Sequence, residues 1–288
     1  MVSHVVHVLF TIHRRTFARQ AANLWLVKER LWQGIAAQAP HDPHVALIDS
    51  FPVPVCRFAR AKRCRLFGGV AAFGYDEAAR QTLSGFRRHV RLAWPSVIAD
   101  LVLAPANVSE PEVARALAAE MTGYLIGYRN YWSPLLTEDV AAHGICLLAP
   151  YRVTSRDPDP ARSRFLSPIR YRIETVFGQL VDRCHAKRVW ARDPWQLASR
   201  FLRKALSHTI ALLLNARAGN PPRQFARLLT GKTCTRGYPM SRRGLLRGLR
   251  RHQAQARGDE GSFVVAHVGR VRFAGMDFIF HLPSLPST

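Results

Sequence analysis

Asp49 closes the continuous apolar run Val45-Ala46-Leu47-Ile48, and Glu174 lies in a helical pattern with Arg170 one turn before it. Carboxylate oxygens are the ligands that hard divalent cations take, and an arginine at i−4 can pair with the acid or contact a phosphate. Basic residues form further groups: Arg57, Arg60, Lys62 and Arg63 follow soon after the first acid, and Arg200, Arg203 and Lys204 share a helical segment. The planar fork of arginine suits phosphates and guanine edges better than a lysine point charge does. Taken singly, each feature has an ordinary reading. An aspartate at a strand end is usually a cap or turn residue, a glutamate on an amphipathic helix is usually solvated, and an arginine cluster is usually a charged surface.

Composition gives these residues a context. The chain of 288 residues is 48% apolar, enough to bury a real core, and its 42 Lys and Arg against 19 Asp and Glu leave a net charge of +23. A large polyanion is the default partner of such a chain, and duplex DNA or a folded RNA fits an arginine-rich surface better than a membrane does. No apolar stretch approaches the ~18 residues that span a bilayer. The five cysteines, Cys56, Cys64, Cys146, Cys184 and Cys234, contain no C-x-x-C pair and point to neither a disulfide scaffold nor a zinc ribbon.

The elements that must position the two acids read as follows. Residues 16 to 36 have helical periodicity, with an apolar stripe through Phe17, Leu24, Val27, Leu31 and Ile35. Val45 to Asp49 reads as a central strand buried on both faces. Residues 50 to 82 read as irregular. After Gly85 the alternation sets Phe86, Val90, Leu92 and Trp94 against Arg87, His89 and Arg91, which predicts a strand with one wet, basic face. A strand at 97 to 103, a helix capped by Ser109-Glu110-Pro111, a strand at 124 to 127, a helix at 134 to 142 and a strand at 145 to 148 follow. Helices are predicted over 165 to 188 and from Asp193-Pro194 to Leu214, the latter with Arg200, Arg203, Lys204 and His208 on its polar side. Three strands and then alternating helix and strand is the order of a ribonuclease H-like α/β fold, a mixed sheet flanked by helices, with a short helical segment before it. The tail after Arg236 is arginine-rich and reads as a solvated basic appendage. The implied division is a helical segment at 1–44, a core at 45–230 and a tail at 231–288.

Several ordered strings carry a resemblance. They are Ile48-Asp49-Ser50-Phe51-Pro52-Val53-Pro54-Val55-Cys56, Arg57-Phe58-Ala59-Arg60-Ala61-Lys62-Arg63, Leu103-Ala104-Pro105-Ala106-Asn107-Val108, Gly127 to Trp132, and Arg172-Ile173-Glu174-Thr175-Val176-Phe177-Gly178-Gln179-Leu180. Together they resemble the DDE transposases of bacterial insertion sequences, over about residues 16 to 230. The resemblance implies metal-dependent DNA strand cleavage and strand transfer. Two Mg2+ or Mn2+ ions ~3.5–4 Å apart would activate the incoming oxygen and steady the leaving one, held by three carboxylates. It makes Asp49 the first acid and Glu174 the last, both metal ligands, and it implies a bacterial, nucleoid-associated protein acting on terminal inverted repeats and a target duplex, with room for a homodimer on the DNA.

The second acid of the family follows the glycine that is Gly127 here, but this chain has Tyr128. A phenol with a pKa near ~10 is neutral at pH 7 and a poor ligand for a hard cation. The resemblance therefore implies an impaired copy, or a DNA-binding remnant or regulator that does not cut. Glu138, Asp139 and Asp100 do not naturally reach the end of that strand. Around the last acid, the tyrosine and lysine that related transposases carry are Ser167 and Val181, whereas their arginine is present as Arg170. Arg57, Arg60, Lys62, Arg63, Arg129, Arg170, Arg200, Arg203 and Lys204 are the expected DNA-binding residues.

Overall fold

The computed structural model describes residues 14–150, 160–225, 228, 242–254 and 271–273. Two helices open it, α1 (Arg14–Asn23) and α2 (Trp25–Gln38), where the periodicity predicted one. The break at Leu24 turns the expected apolar stripe outward: Phe17, Leu24, Val27 and Leu31 are exposed. The buried face is instead Ala22, Glu29, Trp32 and Ala36, and the Trp32 indole donates to Thr209 Oγ1 at 3.2 Å.

β1 (Asp42–Arg57) runs far past the predicted strand. A short 3-10 turn (Phe58–Arg63), β2 (Ala72–Asp76) and β3 (Gln81–Trp94) then order most of the stretch that reads as irregular. Next come β4 (Val97–Pro105), α3 (Glu110–Ala118), β5 (Gly123–Gly127), α4 (Pro134–Ala142) and β6 (Ile145–Leu148). α5 (Pro160–Asp182) begins and ends about one turn earlier than predicted, and α6 (Pro194–Arg217) follows Asp193 as expected.

With a last short strand, β7 (Val271–Phe273), the sheet order is β6-β5-β1-β3-β4-β7, and β2 pairs with β3. β1, β3 and β4 form an antiparallel meander, while β5 pairs parallel to β1 and β6 parallel to β5. A meander followed by crossover units is the ribonuclease H-like arrangement that the element order implied. The predicted solvated tail is corrected in part: α7 (Arg242–Ala254) buries Leu245 and Leu249 in the main core, and β7 (Val271–Phe273) pairs with β4 at the sheet edge.

Side chains alternate across β1 and build both cores at once. Val45, Leu47, Phe51 and Val53 face α2, α5 and α6, while Ala46 and Ile48 face α3 and α4. The same alternation buries the face of β3 that reads as wet and basic. Arg87 pairs with Glu110 at 2.8 Å, the His89 imidazole bonds the Tyr131 hydroxyl at 3.1 Å, and Arg91 pairs with Asp100 at 3.8 Å. Each base is tolerated inside because a carboxylate or hydroxyl from another element meets it. Among the described residues, no helix is long and apolar enough to cross a membrane.

Candidate functional site at the carboxyl end of the central strands

The parallel ladder between β1 and β5 ends at the pair Ile48 and Gly127. The next residue on each strand is therefore Asp49 and Tyr128, side by side where hydrogen bonding stops. Gly127 lets the chain pack closely at this point: a Cβ there would sit tightly against Tyr131 Cβ at 3.0 Å and Ile48 Cγ2 at 3.3 Å. That closeness lets the chain leave β5 through the short turn Arg129–Tyr131, with Tyr131 buried beneath the sheet end.

α5 supplies the other side of the site. Phe177 packs edge-on against Phe51 at 4.8 Å and fixes the helix against β1, and Ile173 and Val176 are buried beneath it. One turn further back, the guanidinium of Arg170 lies 4.4 Å from the centroid of the Tyr128 ring. Its Nε and Nη1 are buried without a hydrogen-bond partner. Burial, and then the Arg129 charge, lower the pKa of Arg170, while Asp49 opposes that shift.

Asp49 is the strongly perturbed group. Burial pushes its carboxyl up to about 8, helped by the charges of Glu110 and Glu174 and opposed by the Ser50 N–H and by Arg170. The Ser50 N–H donates to its Oδ1 at 2.7 Å. An acid held protonated near neutrality releases its proton when a cation arrives. The structure thus brings Asp49, Tyr128, Arg170 and Glu174 to one place, with Glu174 itself exposed.

Glu110 joins this strand end without a signal in the sequence. At the start of α3 its Oε1 accepts from Ser50 Oγ and Arg87 Nη1, each at 2.8 Å, while its Oε2 is buried and unpartnered. Because Ser50 alternates with Asp49 along β1, Glu110 approaches from the opposite face of the sheet. The sequence presents it as a helix-start residue; what draws it to this strand is Arg87, which lies opposite Pro52 on β3, with its guanidinium beside the Ser50 hydroxyl. The other acids stay away, as expected: Asp100 pairs with Arg91 and Asp139 with Arg115.

The remaining basic residues stand elsewhere. Arg57, Arg60, Lys62 and Arg63 are exposed at the far end of β1, roughly 25 Å beyond Asp49 at ~3.3 Å per residue. Arg129 is exposed beside Tyr128, and Arg200 and Arg203 line the outer side of α6. Lys204, expected on the polar side of that helix, is buried and donates to the His185 carbonyl at 2.6 Å. His208 is likewise buried and bonds Gln179 at 3.0 Å.

As a metal centre the donor set is incomplete. It offers two carboxylates on one face, a neutral phenol and a guanidinium, and among the described residues no group of three His, Cys, Asp or Glu could hold a metal ion. These residues do not fit a two-metal centre as they stand.

Comparison with known proteins gives one family. Residues 40–192, just over half of the chain, match the family model described as the transposase DDE domain. A comparison with curated proteins finds no match. The matched span begins just before β1 and runs past α5, so it includes Asp49, Tyr128 and Glu174.

Proposed function

The chain belongs to the transposase DDE-domain family, and on that premise we propose that it binds DNA through its arginines while its strand-cleavage centre is disabled at Tyr128. Asp49 and Glu174 are the first and last acids of that centre, which in an intact form would hold Mg2+ or Mn2+. The element's terminal inverted repeats and a target duplex are the partners, bound by a bacterial insertion-sequence protein at the nucleoid.

The observation that carries this reading is the pairing of Arg170 with the Tyr128 ring. At the strand end beside Asp49, where the family places an aspartate, the chain offers an aromatic face to a half-buried cation. A guanidinium over a ring satisfies the quadrupole attraction but adds no anionic oxygen. The guanidiniums of Arg170 and Arg129 can still order a phosphate-bearing strand beside the two carboxylates. Two carboxylates lack the anionic oxygens needed to hold the pair of ions that would steady both the attacking and the leaving oxygen.

The test is binding and nicking in parallel, with the unmodified chain, a supercoiled plasmid and Mg2+ or Mn2+. Retarded plasmid that stays supercoiled is the expected result. Efficient metal-dependent nicking that is lost in Asp49→Ala would overturn the disabled-centre reading, and absence of any DNA retardation would overturn the binding reading.

A further inference from the structure

A second feature shares no residue with the strand end at Asp49. α1, α2 and the start of α6 enclose a cleft of about 680 Å³, within the ~300–1,000 Å³ range of small-molecule sites and too small for a duplex. Its lining includes Arg19, Lys28, Arg192, Arg200 and Arg203 and contains no Asp or Glu. Among the described residues, none of these five side chains forms an ion pair with a carboxylate.

The positive charges strain one another. Burial and then the Arg203 charge lower the pKa of both Lys28 and Arg200. Lys28 is held in place by bonds to the Ala21 carbonyl and to Ser199 Oγ, the latter at 2.7 Å. A cluster of this kind, unneutralised by the protein, is relieved by an anion from outside.

The cleft is also aromatic. Trp190 and Phe17 line it while remaining 69% and 56% exposed. Trp190 has φ of 40°, in the left-handed region that bulky side chains rarely enter. Strained residues of this sort persist where the surroundings hold them for a purpose, ligand clamps among them. Arginines tracking a phosphate backbone beside an aromatic ring are the elements of single-strand recognition, since every base has a face that can stack.

We propose that this cleft binds an unpaired stretch of DNA, with phosphates on Arg192, Arg200 and Arg203 and a base stacked on Trp190. The inference rests on the DNA-binding reading above and adds a strand state to it: the cleft takes DNA whose bases are exposed, at an end or in a distorted segment, while the intact duplex is held elsewhere.

The experiment uses the full chain in metal-free buffer, titrated into a short labelled oligothymidine and, separately, into a blunt duplex. Trp190→Ala is expected to weaken oligothymidine binding about tenfold and to leave duplex binding unchanged, while Trp190→Phe retains both. Arg200→Glu with Arg203→Glu should weaken oligothymidine binding and flatten its log–log salt dependence by about 0.7 for each phosphate no longer neutralised. Unchanged oligothymidine affinity in Trp190→Ala, or equal losses on both ligands, would overturn the proposal, as would a preference for oligouridine over oligothymidine. A chain that fails to bind the duplex at all removes the DNA reading itself, which is a different failure from a Trp190 variant that behaves like the unmodified chain.

Discussion

The Arg170 guanidinium lies 4.4 Å from the centroid of the Tyr128 ring, at the strand end beside Asp49. This pairing lets a half-buried cation persist where a carboxylate would ordinarily meet it, because the ring face is electron-rich and Tyr128 needs no ionisation to present it. The ring, and not the hydroxyl, is therefore what Arg170 requires. Tyr128→Phe should change stability by less than about 0.5 kcal/mol, and Tyr128→Ala should cost on the order of 1–2 kcal/mol. Urea unfolding separates the two, and equal destabilisation in both variants would mean that the hydroxyl and not the ring holds Arg170.

Three groups, Asp49 and the buried His89 and His208, set a pH profile for stability. Asp49 keeps its proton in the folded chain up to about 8, whereas an unfolded aspartate releases it near ~3.9. Folding therefore takes up a proton between these values, and stability from this group falls as pH rises through that window. His89 and His208 behave oppositely. Burial holds each near about 3 in the folded chain, below the ordinary 6.5, so their contribution is complete above 6.5 and is lost as pH falls from there towards 3. Two imidazoles outweigh one carboxyl below about 6.5, and only the carboxyl acts above it. These groups predict a stability maximum near about pH 6.5. Asp49→Asn should remove the decline on the alkaline side and raise the thermal midpoint at pH 8 by on the order of a few degrees, and an unchanged alkaline limb would contradict the assignment.

The exposed turn at Arg57, Arg60 and Arg63 should act on DNA without regard to sequence, since phosphate contacts position a protein and do not specify bases. Reversal of all three to Glu is expected to weaken binding to unrelated duplexes by the same factor and to reduce the salt slope by about 0.9 for each phosphate no longer neutralised. Duplex titrations over a salt series measure both. An unchanged slope would place the duplex elsewhere on the surface.

The sequence is most legible where structure is decided locally. Ser109 with Pro111 and Asp193 with Pro194 mark the starts of α3 and α6, and the helices begin there although neither side chain makes a capping hydrogen bond, so the proline in the first turn carries the signal. The apolar run leading to Asp49 and the helix carrying Glu174 are legible because burial is written in their local hydrophobic pattern. β1 is longer than its sequence suggests because Pro52 and Pro54 argue against a strand interior. They fit because β5 leaves β1 after Ile48, so beyond Asp49 one edge of β1 has no ladder to donate to. The buried basic face of β3 could not be read from alternation, since its partners Glu110 and Tyr131 arrive from later elements. Nor could the outward turn of Leu24, Val27 and Leu31, which follows from how α2 packs its other side on α6.

Repair of the strand end tests the central claim most directly. Tyr128→Asp places an anionic oxygen beside Asp49 and gives Arg170 a carboxylate in place of the ring, completing the acids that a two-metal centre requires. The measurement is nicking of a supercoiled plasmid by equal amounts of unmodified and Tyr128→Asp protein, with Mg2+ or Mn2+ and with EDTA. Metal-dependent nicking by Tyr128→Asp alone is the predicted result, abolished again when Asp49→Ala or Glu174→Ala is added. Equal nicking by the unmodified protein, or none by a folded, DNA-binding Tyr128→Asp, would contradict the claim that Tyr128 is what silences this centre.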